Sequence, residues 1–280
     1  MKFIRIVLIA FPFCLALVSC KKENLEEKLS TTKVDTIIQN DFEQMVLLEP
    51  FTSTSCGACP IAHHEIENIE SQNNKVIHLT HYLFGPLNHE YSNYVIDQVN
   101  KTLYTPLSFI QRDNGTEGVV YYVIDRLEEI IEGQFRKESP LELAIETSIE
   151  AQDVSIEITL NSDDRLSNQN VAVTVLVVEN SVIGTGSGYD QRNYGHTDEN
   201  HPYYNQGEYI EGFEHTNVIR HVISAFDGDV VEFELKNATW SGAFNTDMLP
   251  NELEAYSIIA FASESAKVGS PILNATLLSF

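Results

Sequence analysis

Cysteine is nearly absent from this chain. Four occur in 280 residues, Cys14, Cys20, Cys56 and Cys59. So few thiols exclude a disulfide-dense scaffold. Basic residues are also scarce: 17 Lys and Arg face 41 Asp and Glu, for a formal net charge of -24. Such a chain repels phosphate backbones, so nucleic acid is not an expected partner. The acid is spread along the chain rather than blocked, as on a solvated surface. Tryptophan occurs once, at Trp240. No internal repeat, no Ser-His-Asp order and no phosphate-binding glycine loop stands out.

The N-terminus carries its own signal. In "MKFIRIVLIAFPFCLALVSC", Lys2 and Arg5 precede an apolar run too short for a membrane-spanning helix, which reads as a cleaved export signal over 1–20. "LVSC" resembles a bacterial lipobox. It implies acylation of Cys20 and a membrane partner held through an N-terminal lipid anchor. Residues 21–42 are polar, too poor in apolar side chains to build a core, and read as a tether. Export removes Cys14 with the signal and commits Cys20 to lipid, leaving Cys56 and Cys59 in an oxidising compartment.

Two grammars follow. Over 43–138 strand-like and helix-like runs alternate: "MVLLEPFTS", a helix from "CGACPIAHHEIENIESQ", "KVIHLTHYLF", a helix in "HEYSNYVIDQVNKTLY", "TPLSFIQRDNG", and a helix in "YYVIDRLEEIIEGQFRK". That alternation predicts an α/β layer with a parallel crossover. Over 139–280 seven strand-like runs with little helix predict an all-β sandwich of immunoglobulin-like architecture. Within it, Gly184 to His215 lacks periodicity and is rich in glycine and aromatic rings, including Tyr189, Tyr194, Tyr203, Tyr204 and Tyr209. A loop of this length is either an elaborate strand connection packed by its own tyrosines or a contact surface for a partner or glycan.

"FTSTSCGACP" is the chemical centre of the sequence. Cys56 is expected at the start of the first helix, where free N–H groups and the helix dipole favour a thiolate, with Cys59 about one turn on. Pro60 costs little there, because its missing donor would be unpaired anyway. The spacing suits reversible thiol–disulfide exchange, with Cys56 exposed as nucleophile and Cys59 buried as resolving thiol. A structural disulfide is the alternative, though so tight a loop constrains little chain. A zinc site would need two more ligands, and neither His63 with Glu67 nor a second cysteine pair completes one, so no metal or other cofactor is expected. His78 and His81, three apart on one strand, should face opposite sides and be ordinary half-buried histidines.

The order strand, C-x-x-C, helix, strand, helix and "TP" resembles the thioredoxin fold. That resemblance implies a cis-proline at Pro106 facing the cysteines, with Thr105 offering its backbone to an extended peptide. Pro50 stands where thioredoxins place a buried acid, and Ser55 where they place a tryptophan before the first cysteine. More closely, "VLLEPFTSTSCGACP", "TPLSFIQRDNG", "HTNVIRHVISAFDGD" and "AFASESAKVGSPILNATLLSF" resemble the Bacteroidetes outer-membrane lipoproteins related to the 28-kilodalton outer membrane protein. The resemblance implies a lipid-anchored protein of the outer membrane, with a thioredoxin-like domain followed by a β-sandwich. Two functions fit: thiol–disulfide exchange with exported cysteine-containing proteins, or a non-catalytic binding or structural role for the sandwich and its Tyr-rich loop.

Overall fold

The computed structural model describes residues 42–99, 104–112, 119–121, 124–166 and 169–280. The expected signal over 1–20, the acylated Cys20 and the tether, apart from Phe42, lie outside them. The first half runs β1 (Val46–Thr52), α1 (Cys59–Gln72), β2 (Val76–His78), β3 (His81–Tyr82), α2 (Glu90–Val99), β4 (Leu107–Ile110), β5 (Val119–Tyr121) and α3 (Ile124–Phe135). Its sheet has the order β2-β1-β4-β5, with β3 also paired to β1. β2 and β3 run parallel to β1, while β4 is antiparallel to both β1 and β5. The single strand expected over "KVIHLTHYLF" breaks in two because Thr80 turns its N–H to the carbonyl of Asn217, 3.2 Å away.

The second half is β throughout: β6 (Leu141–Glu150), β7 (Asp153–Ser162), β8 (Asn170–Val182), β9 (Gln191–Arg192), β10 (Tyr209–Ile210), β11 (His215–Val222), β12 (Asp229–Glu232), β13 (Asn237–Asn245), β14 (Tyr256–Ser263) and β15 (Ile272–Ser279). One sheet has the order β11-β8-β14-β15, with β12 also on β8, and another the order β13-β7-β6. β13 was not expected from the sequence. Its apolar residues are diluted by Thr239, Ser241 and Gly242, yet Ala238, Trp240 and Phe244 point alternately inward.

Burial shows how the layers stack. Val173, Val175 and Val177 of β8 pack against Ile156, Ile158 and Trp240 of the β13-β7-β6 sheet. The opposite face of the same strand, Leu176 and Val178, joins Ile259 and Phe261 of β14 in a cluster with Leu47 and Phe51 of β1 and with Tyr91 and Val95 of α2. Both faces of β8 and β14 are therefore covered, which is why "VAVTVLVV" reads as a continuous apolar run. On the far side of the first sheet, Val46 and Leu48 meet Ile66 of α1 and Leu127 and Ile131 of α3. The described residues form one compact unit, and the two halves share one core cluster.

A buried charge sits inside this stack. Glu49, on the α2 side of β1, has no exposed surface. Arg112, which follows β4 with a φ of 44°, grips it with Nε and Nη2 donating at 2.7 and 2.6 Å. Nη2 also donates to Tyr91 Oη at 3.0 Å, and the guanidinium lies 5.0 Å from the centre of the Phe261 ring. His81 Nε2 is 3.2 Å from Glu49 Oε1, and its Nδ1 is 3.2 Å from the Ser92 hydroxyl. His81 is thus fully buried and satisfied rather than half-buried; burial holds its imidazole below the usual value and neutral. Burial works to raise the Glu49 carboxyl, but Arg112 and His81 outweigh it and hold it at about 2.

Removing one partner of a buried ion pair leaves the other unpaired. Glu49→Gln or Arg112→Met should each cost about 3–5 kcal/mol, while Glu49→Leu with Arg112→Met should cost less than either alone, read from urea midpoints. The depressed Glu49 pKa is stability present above about pH 4.5 and lost as pH falls toward 2. The wild type should therefore lose stability over that window more steeply than the apolar double variant.

Candidate functional site at Cys56 and Cys59

Cys56 and Cys59 form a disulfide, with their Cα atoms 5.4 Å apart. Helix α1 begins at Cys59 rather than at Cys56, and the reason is Pro60. An α-helix including Cys56 would need its carbonyl to accept from the N–H of residue 60, which proline lacks. The Cys56 carbonyl instead accepts from Cys59 N at 3.1 Å, closing a turn. Cys56 is therefore displaced from the helix start and partly exposed, while Cys59 opens the helix and is only 3% exposed. No side chain caps α1, and no acid lies in its first turn, so nothing anionic competes for its N-terminus.

The Thr105–Pro106 bond is cis. Pro106 and Cys59 line one small cavity of about 20 Å³ together with Phe51 and Ser108 of the paired strands β1 and β4. Thr105 is partly exposed beside it. The cysteine pair, Thr105 and Pro106 are thus brought together at one end of the first sheet.

The Gly184–His215 segment docks onto this end, which sequence spacing could not reveal. Gln191, 2% exposed, donates through Nε2 to the Cys56 carbonyl at 2.9 Å and to the Ser53 carbonyl at 3.3 Å. Arg192 N donates to Thr54 O and Tyr194 N to Gly57 O, both at 2.8 Å. The segment therefore runs beside residues 53–57 as an extended partner. Tyr194 lies so close over Gly57 that an added Cβ would stand 2.4 Å from ring carbon Cδ1. The start of the segment is held by a second lock. His215 Nε2 donates to Tyr189 O at 2.8 Å, so its Nδ1 is free to accept from the Tyr82 hydroxyl, also at 2.8 Å. Burial holds the His215 imidazole down to about 4.

The singled-out tyrosines divide accordingly. Tyr189 is half-buried against Tyr82, Leu87 and Val218, and Tyr203 packs between His64 and Phe213. Tyr194, Tyr204 and Tyr209 are 62%, 45% and 51% exposed. His78, expected to be half-buried, is 4% exposed and hydrogen-bonded on both ring nitrogens. Among the described residues no group of three or more His, Cys, Asp or Glu side chains could hold a metal ion.

Two outcomes check the docking. Gly57→Ala should destabilise the fold by about 1–3 kcal/mol through overpacking, and Tyr194→Ala added to it should recover part of that loss, read as a double-mutant cycle. His215 is neutral when folded and takes a proton near pH 6.5 when unfolded, so its contribution is complete above about 6.5 and lost as pH falls toward 4. Amides of residues 186–194, after correction for intrinsic rates, should exchange faster across that window in wild type but not in His215→Gln.

Residues 96–275 match the family described as outer membrane protein Omp28. HBP35 of Porphyromonas gingivalis has a similar fold, with a TM-score of 0.67 and 17% identity over 85% of this chain and 76% of that one. A crystallised domain of the outer membrane lipoprotein Omp28 from Porphyromonas gingivalis aligns with 13% identity over 51% of this chain and 88% of that one, at a TM-score of 0.31 that carries no fold argument. No curated protein matches. Among the described residues no helix is long and apolar enough to cross a membrane. With its family match covering more than half of its length, the chain belongs to the Omp28 family of outer membrane proteins, and its place is the outer membrane of the cell envelope.

Proposed function

We propose that this protein is an envelope thiol–disulfide exchange protein built on a thioredoxin-like domain, held to the outer membrane by lipid on Cys20. The observation that carries this reading is the asymmetry of the pair: a disulfide whose Cys56 is partly exposed and whose Cys59 is 3% exposed, beside the cis Thr105–Pro106 bond. The β2-β1-β4-β5 order, with β1 and β2 parallel, supports a thioredoxin-like first domain over 43–138. The β sheets that follow support the sandwich reading of 139–280.

In this mechanism a thiolate of an exported cysteine-containing protein attacks Cys56 Sγ. The Cys56–Cys59 bond breaks, and Cys59 leaves with the electron pair. The partner's second thiolate then resolves the mixed disulfide, so the partner is oxidised and the pair reduced; the reverse reaction reduces a partner disulfide. Pro106 and the Thr105 backbone border the approach. The residues present require no metal or organic cofactor for this step.

A second reading is favoured by one observation, the exposure of Tyr194, Tyr204 and Tyr209 on the docked segment. Here the segment would bind a partner directly and the disulfide would only tie the turn.

Two variants separate the readings. Cys56→Ser should abolish exchange with a small disulfide probe, and Cys59→Ser should accumulate mixed disulfides between Cys56 and exported proteins. Turnover that survives in Cys56→Ser, or no mixed disulfide in Cys59→Ser, would leave the binding reading in possession.

A further inference from the structure

Cys59 presents a problem that Cys56 does not. Cys59 is 3% exposed and lines its cavity beside Pro50, Ile66 and Pro106. A thiolate released there is poorly solvated and must gain a proton, and a thiol formed there must lose one before it can attack. Glu49, the carboxylate of β1, is of no help: it lies on the other face of the sheet and is held by Arg112.

The described residues contain two buried side-chain polar atoms with no hydrogen-bond partner, His63 Nδ1 and Thr80 Oγ1. Both residues line the cavity that Cys59 lines. His63 is one helical turn after Cys59, on the same face of α1. At about 20 Å³ the cavity exceeds the roughly 10–15 Å³ that one water needs.

Behind His63 a hydrogen-bonded chain leads outward. His63 Nε2 is 3.1 Å from Thr216 Oγ1, which is 3.0 Å from His78 Nε2, and His78 Nδ1 is 2.6 Å from Glu70 Oε2. Glu70 is 30% exposed at the outer end. With that carboxylate ionised, one orientation runs through every link. Glu70 accepts from His78 Nδ1–H, so His78 Nε2 carries a lone pair and takes the Thr216 proton. Thr216 oxygen then accepts from His63 Nε2–H, which leaves the His63 Nδ1 lone pair directed toward the cavity. Glu67 Oε2 stands 3.5 Å from the same nitrogen, placed to accept from it when the chain takes the opposite tautomers.

We infer that His63, Thr216, His78 and Glu70 form a proton relay serving the Cys59 thiol through one water held by His63 Nδ1 and Thr80 Oγ1. During reduction the S–S bond breaks toward Cys59. For this inward transfer the chain starts in the opposite tautomers, with a proton on Glu70 and another on His63 Nδ1. The water protonates the thiolate and takes the His63 Nδ1 proton, as His63 Nε2 takes the Thr216 proton, Thr216 takes that of His78 Nε2, and His78 Nδ1 takes that of Glu70, which solvent refills. In the reverse direction each proton moves outward. Electrons pass only between the pair and the partner dithiol. The charged and titratable groups facing His63 are Glu67 and His64 from α1, His78 from β2 and His215 from β11, and the Phe213 ring lies 5.0 Å away. Burial works to raise the Glu67 carboxyl, but His63, His78 and His64 outweigh it, so the counter-charge beside His63 persists in mildly acid solution.

This inference rests on the exchange reading above. The test is reduction of the oxidised full chain by dithiothreitol between pH 5.5 and 8.5, stopped by acid and read by thiol labelling, with rates divided by the dithiothreitol thiolate concentration. The wild-type corrected rate should fall as pH rises. His63→Gln and Thr216→Val should each lower it at least about tenfold at the acid end and flatten the profile, and Thr216→Ser should restore both. Thr216→Val leaves ring nitrogens of His63 and His78 unpaired and should melt lower but as cooperatively as wild type, with Thr216→Ser restoring the midpoint. A wild type that dithiothreitol cannot reduce would overturn the exchange reading itself. A wild type that reduces normally beside variants with the same pH profile would overturn the relay alone.

Discussion

A carboxylate in the middle of a strand, with protein on every side, is stable only if its charge is met by donors of fixed geometry. Glu49 meets that condition through Arg112, and much of the first half is arranged by the way it does so. Arg112 reaches Glu49 because Gln111 and Arg112 both take positive φ values after β4. Gln111, turned inward there, accepts Leu47 N through Oε1 and donates from its backbone to Leu47 O, and its own carbonyl accepts from Ile272 N. One two-residue turn therefore ties β1 to the first strand-forming residue of β15. It also presents the guanidinium to Tyr91 of α2 and to Phe261 of β14. The strand that leads into the cysteine turn is anchored in both halves.

The same interdependence governs the cysteine pair. Pro60 frees the Cys56 carbonyl from the helix, and Gln191, from the second half, takes it up. Thr216, at the start of β11, bonds to histidines on α1 and β2. Asn217 beside it donates to His78 O and, through its own carbonyl, receives Thr80 N. The α/β half supplies the sulfur atoms, and the β half holds their surroundings. A site assembled from both halves gives a physical reason for the shared core: rotation of one half against the other would break the turn at Cys56 and the chain at Thr216 together.

Much of this was legible in the sequence and some was not, for reasons of range. The cysteine pair, Pro106, the alternation of β6 and β7 and the apolar run of β8 are local patterns read within ten residues or so. Glu49 and Arg112 are 63 positions apart, His63 and Thr216 are 153, and Gln191 and Cys56 are 135. No spacing rule links such residues, so nothing in the sequence joined His63 or His78 to Thr216. The Gly184–His215 segment showed its glycines and rings but not their use, since Gly57, on which Tyr194 rests, is in the other half. The strand β13 could have been found from Ala238, Trp240 and Phe244 had Gly242 not interrupted the alternation.

The central claim is that the Cys56–Cys59 pair opens and closes in service rather than tying a turn permanently. Its reduction potential tests this most directly. Oxidised full chain equilibrated in graded glutathione buffers, quenched and thiol-labelled, should show a reversible two-electron transition between about -270 and -120 mV, the range of working dithiol proteins. A pair that stays oxidised to below about -300 mV would be a structural staple, and the account would be wrong.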